Sequence, residues 1–545
     1  MVFSRRRKLP PFRLKLDGGE IEFRNEVKYL GVTLDSKLHW TPHITEKISN
    51  TKKYLAKIAH ITVNNWGPKP RLMRWAFLGI VRPMLCYGTM IWGHRAPERI
   101  AKLRRINRMA MNTFASFPKS TPTAALEVML DVMPLHLFCV QEALLARLRL
   151  NSVLEFGWDG KSHTKNHARS HMKFLADTLD EYNISPNEND RCSQVLWSEG
   201  YKINWESFSG EAKHRQPTQY NVYTDGSKYN GQTGAGLAIY KGGNELRGEW
   251  FRLPDYATVF QAEVAAIERA ASELTNMRGN DVKYVKIFVD WQAAIAALGN
   301  PKVTSHAVAG AVRALNTLAQ NANSVTLTWI PAHKGHAGNE RADELAKKGT
   351  AEDDPERTLR ILRPQASTKA EIKAKTYARW GREWEELKIA SHSKSFYSGP
   401  NARKARFVYK LARLELGRLV RIITGHNNLN FFQAKLGLTR SPLCRFCNEG
   451  NETITHLMRS CPVFTELCRE VFLDDLPMAD MKWSVRNLLH FSYHPRINQA
   501  FEGSWERGGA GDDENGNLNV TLGLEWLEGA DNDDNNNQGP TMGEL

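Results

Sequence analysis

The spacing of apolar and polar positions changes several times along the chain, and each change marks a boundary. Residues 12 to 35 alternate apolar and polar around turn residues, in Phe12-Arg13-Leu14-Lys15-Leu16, Gly18-Gly19 and Ile21-Glu22-Phe23, which predicts a hairpin. Tyr29 to Asp35 reads as a buried strand. Helical spacing follows from about Thr45 to Ile61, from Pro70 through Ile91 and from Arg99 to Phe114, with Trp75, Phe77, Ile80, Leu85, Trp92 and Leu103 as expected core. Residues 121 to 156 predict one or two more helices, with Ala143, Leu144, Ala146, Leu148 and Leu150 at helical spacing. The composition then turns polar from Gly157 to Gln216, with the run Ser185-Pro186-Asn187-Glu188-Asn189-Asp190, and predicts a linker.

At Tyr220 the period drops to two. Val222 to Ser227, Gly234 to Tyr240 and Gly248 to Leu253 read as three strands of a meander separated by Gly/Asn turns. A long helix from about Thr258 to Thr275 places Val259, Ala262, Ala266, Ala270 and Leu274 at three- to four-residue spacing, with Glu263 at the margin of that face. Lys283 to Asp290 is a short strand ending in an acid, and Trp291 to Leu298 begins a helix. Val303 to Gln320 predicts a helix, Val325 to Ile330 a strand, and Gly338 to Lys348 a last helix carrying Asp343. This order predicts a central α/β domain, a five-stranded mixed sheet with helices on both faces. A mainly helical N-terminal region and a helical, zinc-binding C-terminal region flank it. The expected divisions are 1–156, a linker 157–218, 219–350, a linker 351–368, a basic helical region 369–440, a cysteine-rich module 441–465, a helical tail 466–505 and an acidic disordered tail 506–545.

Charge changes the picture by naming a partner class. The chain of 545 residues carries a formal net charge of +15. Gly511 to Leu545 holds nine Asp or Glu and no Lys or Arg, which leaves 74 basic against 50 acidic residues, +24, on residues 1–510. Such a body suits a polyanion, nucleic acid above all, because Lys and Arg dominate affinity for phosphates. Residues 369 to 423 interleave Lys369, Lys373, Lys375, Arg379 and the run Arg403-Lys404-Ala405-Arg406 with Tyr377, Trp380, Trp384 and Phe407. That pattern fits either backbone binding with base stacking or an ordinary amphipathic helix with solvated charges. An odd count of seven cysteines, three of them clustered, argues against a disulfide framework and for a reducing, intracellular setting, nucleus or cytoplasm. No run approaches the roughly 18 apolar residues of a membrane span, so no membrane partner is expected. Arg5 to Lys8 is a basic cluster without an apolar run behind it, hence no secretory signal.

Four carboxylates then stand out: Asp225 on a strand, Glu263 inside a helix, Asp290 at a strand end and Asp343 near a helix start. An unpaired buried carboxylate is strongly unfavourable, so acids facing a core imply something positive among them. Mg²⁺ suits, since it takes a few carboxylates and leaves positions for water and substrate phosphate. Separately, Cys444-x2-Cys447-x8-His456-x4-Cys461 supplies four soft ligands for tetrahedral Zn²⁺. Cys468 falls outside that spacing and reads as packing.

Tyr223-Thr224-Asp225-Gly226-Ser227, Gln261-Ala262-Glu263-Val264-Ala265-Ala266-Ile267, Phe288-Val289-Asp290 and the block Trp329 to Asp343 (WIPAHKGHAGNERAD) together resemble ribonuclease H of the type 1 class. The resemblance implies metal-dependent endonucleolytic hydrolysis of the RNA strand of an RNA·DNA hybrid, with Asp225, Glu263, Asp290 and Asp343 holding two Mg²⁺ or Mn²⁺ ions. It further implies that His333, on a mobile loop, assists proton transfer or product release. One departure is Trp291, where the family usually has Ser after the third acid. No Lys/Arg-rich insertion lies between Leu298 and Val325. Residues 28 to 44 (KYLGVTLDSKLHWTPHI) resemble the region just past the palm of non-LTR retrotransposon reverse transcriptases. Ile423 through Pro462 resembles the zinc-knuckle tail of their polyproteins, taken to bind single-stranded nucleic acid. No Tyr-x-Asp-Asp occurs, so the implied protein is the C-terminal part of a LINE-type polyprotein without the polymerase active site. Its implied partners are RNA·DNA hybrid, single-stranded nucleic acid and other parts of the polyprotein. The competing class is a nucleic-acid-binding remnant that no longer cleaves.

Overall fold

A computed structural model describes residues 14–17, 19–21, 24–62, 67–93, 97–151, 171–185, 188–205, 219–277, 284–472 and 484–502. The expected acidic tail, the Arg5 to Lys8 cluster and residues 157–170 and 206–218 of the expected linker lie outside them. The chain divides into two compact units, residues 144–375 and residues 1–143 with 376–545.

The first unit is built on a six-stranded mixed sheet. Its strands are β1 (Tyr201–Asn204), β2 (Gln219–Tyr229), β3 (Gln232–Lys241), β4 (Asn244–Leu253), β5 (Tyr284–Val289) and β6 (Ser324–Trp329), in the order β1-β6-β5-β2-β3-β4. The meander β2-β3-β4 is antiparallel, whereas β5 lies parallel to both β2 and β6. The expected five strands are present, and β1 adds a sixth along β6 from within the presumed linker. More of that linker is structured: Gln194–Val195 pairs with Lys302–Val303, and Asp190 accepts hydrogen bonds from Gln261 Nε2 (2.8 Å), Ser305 Oγ (2.8 Å) and the Ala307 amide (3.1 Å). Polarity alone hid these contacts, because Asp190 is spent on Gln261 and the N-terminus of the helix His306–Asn321, and Asn189 on the Thr368 hydroxyl, rather than on solvent.

Four helices complete this unit: α1 (Val259–Asn276), α2 (Gln292–Leu298), α3 (His306–Asn321) and α4 (Ala337–Ala351). Thr258 and Gln261 form a reciprocal capping box that fixes where α1 begins. The faces of the sheet are decided by glycine. A Cβ on Gly226 would lie 2.8 Å from the Glu263 amide of α1, and one on Gly236 would collide with the Ala342 carbonyl of α4. Gly226 pairs with Ala235 and Gly236 with Asp225 across β2 and β3. Since alternate positions face opposite sides, α1 and α4 approach the same strands from opposite faces. Both bring an acid toward Asp225.

The second unit is mainly helical around one continuous core that includes Phe77, Leu85, Trp92 and Leu103, as expected, and also Cys444, Leu457, Cys461 and Phe491. The N-terminal, basic, cysteine-rich and tail regions, expected as separate domains, thus share one apolar interior. Two local expectations need correction, and one open alternative is decided. Tyr29 to Asp35 is not one buried strand: Leu30 and Gly31 both take positive φ (46° and 77°) and form the turn of a hairpin between Glu26–Tyr29 and Val32–Asp35. Trp75 and Ile80 are 74% and 44% exposed: Trp75 lies two residues from both Met73 and Phe77, on the opposite side of the helix, and a π-turn at Phe77–Val81 inserts an extra residue that brings Val81 rather than Ile80 onto the inner face with Met73, Phe77 and Leu85. Trp380 and Trp384 are each 3% exposed and belong to the core, Trp384 donating to the Tyr397 carbonyl at 3.0 Å. Neither can stack on a base. Among those aromatics Phe407 is the exposed one, so the amphipathic-helix alternative describes residues 376–386 better.

Candidate active site

Three of the four predicted acids converge. Carboxylate oxygens of Asp225, Glu263 and Asp290 all lie within 4.8 Å of one another. Asp225 stands on β2, on the face shared with Gly236. Glu263, expected at the margin of the helix face, is 1% exposed, because the bare Gly226 lets α1 close on the strand. Its Oε1 accepts from the Gly226 amide at 2.9 Å, while its Oε2 is buried with no hydrogen-bond partner. Asp290 follows the end of β5, held by Trp329 Nε1 on its carbonyl (3.0 Å) and by Asn339 Nδ2 on its carboxylate (3.3 Å).

Asp343, on α4, is not among these three. Its Oδ2 accepts from Lys347 Nζ at 2.6 Å. His333 is exposed, on the loop between β6 and α4, with a left-handed φ of 52°. Its charge is close enough to favour ionised Asp290.

Burial and mutual repulsion set the electrostatics. Loss of hydration, then the charges of Asp290 and Asp343, push the Asp225 carboxyl up to about 7. Burial and the neighbouring Asp225 raise Glu263 well above the carboxylate range. Asp290 is also raised, by burial, with Asn339 and His333 opposing. Asp290 opens onto a cleft lined by Trp291, Gln292, Trp329, Pro331 and Ala332, which leaves one side of the cluster reachable from solvent. Trp291 occupies the N-cap of α2 without a side-chain cap bond and packs partly against the core.

Residues 217–351 match the RNase H family. A ribonuclease H of Cupriavidus pinatubonensis is 34% identical over 139 residues, 24% of this chain and 94% of the relative. The chain belongs to the ribonuclease H family. Its ribonuclease H domain is also similar to a solved RNase H1 from Halobacterium salinarum, at 21% identity over 24% of this chain and 96% of that one, with a TM-score of 0.21. Further similarity joins the chain to a putative 115 kDa protein in the type-1 retrotransposable element R1DM of Drosophila melanogaster, 25% identical over 145 residues and 26% of this chain. The chain covers 14% of that relative's length.

Outside the ribonuclease H domain, Cys444, Cys447, His456 and Cys461 come within 4.8 Å of one another. Cys447 Sγ lies 3.2 Å from His456 Nε2, and Cys444 Sγ lies 4.0 Å from Cys461 Sγ. The loop is fixed by backbone bonds Cys444 N to Gly450 O (2.7 Å) and Asn448 N to Cys444 O (2.9 Å), and by fully buried Glu452, which binds the Arg445 amide and guanidinium. Thr453 caps the helix that carries His456. Burial pushes the Cys461 thiol up to about 12, whereas backbone donors, the Glu449 amide first, lower Cys447. Four ligands of this softness at this spacing suit a tetrahedral ion.

Two residues that touch the acids were not anticipated from the sequence. Asn339 holds Asp290 and Lys347 holds Asp343. The signal was present: 339, 343 and 347 recur at four-residue spacing on one face of α4.

Proposed function

We propose that the ribonuclease H domain cleaves the RNA strand of RNA·DNA hybrids, with Asp225, Glu263 and Asp290 as the inner divalent-cation ligands and Asp343 completing the set. The observation that supports this most is the unpartnered Glu263 Oε2 inside a cluster of three carboxylates. Acids held this close repel one another and have lost hydration, so an oxygen-seeking dication fits them better than water does. Bound there, Mg²⁺ or Mn²⁺, as the two ions the family uses, supplies Lewis-acid activation of water and neutralises charge developing on the phosphate. Asn339 keeps the Asp290 carboxylate aimed at the cluster. The Asp290 cleft admits the strand to be cut, and the exposed His333 imidazole moves a proton at its rim. Discrimination against DNA requires contacts to the 2′-hydroxyl. By the R1 relationship, the hybrid is one formed during reverse transcription.

For the second unit we propose Zn²⁺ on Cys444, Cys447, His456 and Cys461, organising a module that holds single-stranded nucleic acid. The test for the first proposal is cleavage of a hybrid labelled in its RNA strand across Mg²⁺ and Mn²⁺ concentrations. Protein that binds the hybrid and leaves it intact throughout would reject catalysis. That outcome would favour the non-cleaving alternative, for which Trp291 beside Asp290 is the one structural pointer.

A further inference from the structure

We propose that Lys347 is a built-in counter-cation that competes with the divalent ion for Asp343 and so sets the metal concentration at which the acid cluster fills. This rests on the metal-site reading above and adds a residue that reading does not use.

The placement follows from the fold. Gly236 lets the α4 backbone lie against β3, which carries Asp343 toward Asp225. One turn further along, Lys347 donates to Asp343 Oδ2 at 2.6 Å. Among the described residues, no salt bridge forms on Asp225, Glu263 or Asp290, so Lys347 makes the one salt bridge in the quartet, His333 acting on Asp290 only from a distance. The neighbouring charges on α4 are engaged differently: Arg341 bridges Glu344 and Glu245, and Lys348 lies over the Trp250 ring at 5.6 Å.

The same oxygen cannot serve the ammonium and a dication at full strength. Either Lys347 withdraws as the metal arrives, or Asp343 stays out of the coordination sphere. Withdrawal is open to it. The Lys347 side chain is 63% exposed against 22% for Asp343, and its four-carbon stem can swing the ammonium into water. An exposed ion pair is weak, so Lys347 acts as a competitor rather than a block. The ammonium thereby partly neutralises the metal-free cluster and weakens its hold on the ion.

Calorimetric titration of Mg²⁺ into the full chain, without hybrid, tests this. Lys347→Met keeps the apolar stem and removes the charge, and should tighten Mg²⁺ binding by about three- to tenfold. Lys347→Arg should stay within about twofold of wild type, and Lys348→Met, one position around the helix, should change binding little. Equal or weaker binding in Lys347→Met, or the same gain in Lys348→Met, overturns the proposal. Asp290→Asn identifies the site by abolishing the binding. If wild type shows no binding that Asp290→Asn removes, the metal-site reading itself falls, and this inference with it.

Discussion

The acid cluster and the cysteine-histidine cluster solve opposite problems. The acids come from positions 225, 263 and 290, on a strand, on a helix and just past the end of a second strand, and a rigid sheet forces like charges together. The soft ligands come from one segment, 444 to 461, whose turns have few apolar side chains of their own. The sheet can hold its site without an ion, at a cost in stability. The loop depends on a neighbouring core and, on our proposal, on its ion. Removing a ligand should therefore stabilise one site and destabilise the other.

The largest expected effect breaks the comparison at the acid side. Glu263→Gln should lower RNA cleavage at least about a hundredfold, roughly 2.7 kcal/mol of transition-state stabilisation, while raising the melting temperature of the Mg²⁺-free protein by relieving buried repulsion. Cleavage at wild-type rate would remove Glu263 from the catalytic set. At the other cluster, Cys461→Ser should lower the melting temperature of zinc-loaded protein, by an amount equivalent to about 4 kcal/mol where zinc stands a thousandfold above its dissociation constant. An unchanged melt, together with no zinc found by mass spectrometry of the purified protein, would mean the cluster folds on its core alone.

These two sites were unequally legible in the sequence. The soft site could be read from spacing, since all four ligands lie within one turn-rich segment. The acids were legible singly, and their context suggested a group, but nothing along the chain says that Glu263 sinks to full burial. That follows from Gly226, a contact between a strand and a helix almost forty residues apart. The strands β2 to β6 and their helices were readable because period two and period 3.6 alternate cleanly there. β1 was missed because a four-residue strand in polar surroundings has too little periodicity to register. Ile80 was misplaced by the π-turn, which shifts the helical phase by one residue without a sequence marker, and Trp75 by its apolar character alone, since it stands two residues from both buried Met73 and buried Phe77. Trp380 and Trp384 were left undecided because a basic amphipathic helix buries its aromatics as readily as it displays them.

Protonation sharpens the comparison further. The Asp225 carboxyl, raised from an unfolded value of 3.8 to about 7, favours the fold while protonated. Its contribution is fully present below about pH 4 and is lost as pH climbs through 7. Mg²⁺-free protein should therefore lose about 1–3 kcal/mol of stability between pH 5 and 8, and added Mg²⁺ should recover more of it at pH 8 than at pH 5. A melting temperature that rises across this range without metal would contradict the buried-acid electrostatics.

The smallest effect probes the departure from the family. The usual Ser would cap α2, a bond worth about 1 kcal/mol. Trp291 makes no such bond and instead buries part of its ring against the core. Half a Trp side chain removed from water is worth about 2 kcal/mol, which outweighs the cap. Trp291→Ser should thus cost roughly 1 kcal/mol of stability, the regained cap offsetting about half of the lost burial. Its kinetic effect separates two roles for the bulk beside Asp290. If the ring crowds the site, kcat should rise about two- to fivefold with KM little changed, a gain of under about 1 kcal/mol. If the ring instead supports the hybrid in the cleft it shares with Trp329 and Pro331, KM should rise and kcat stay. We expect the first, because the ring packs partly against the core, which limits its freedom to follow a substrate.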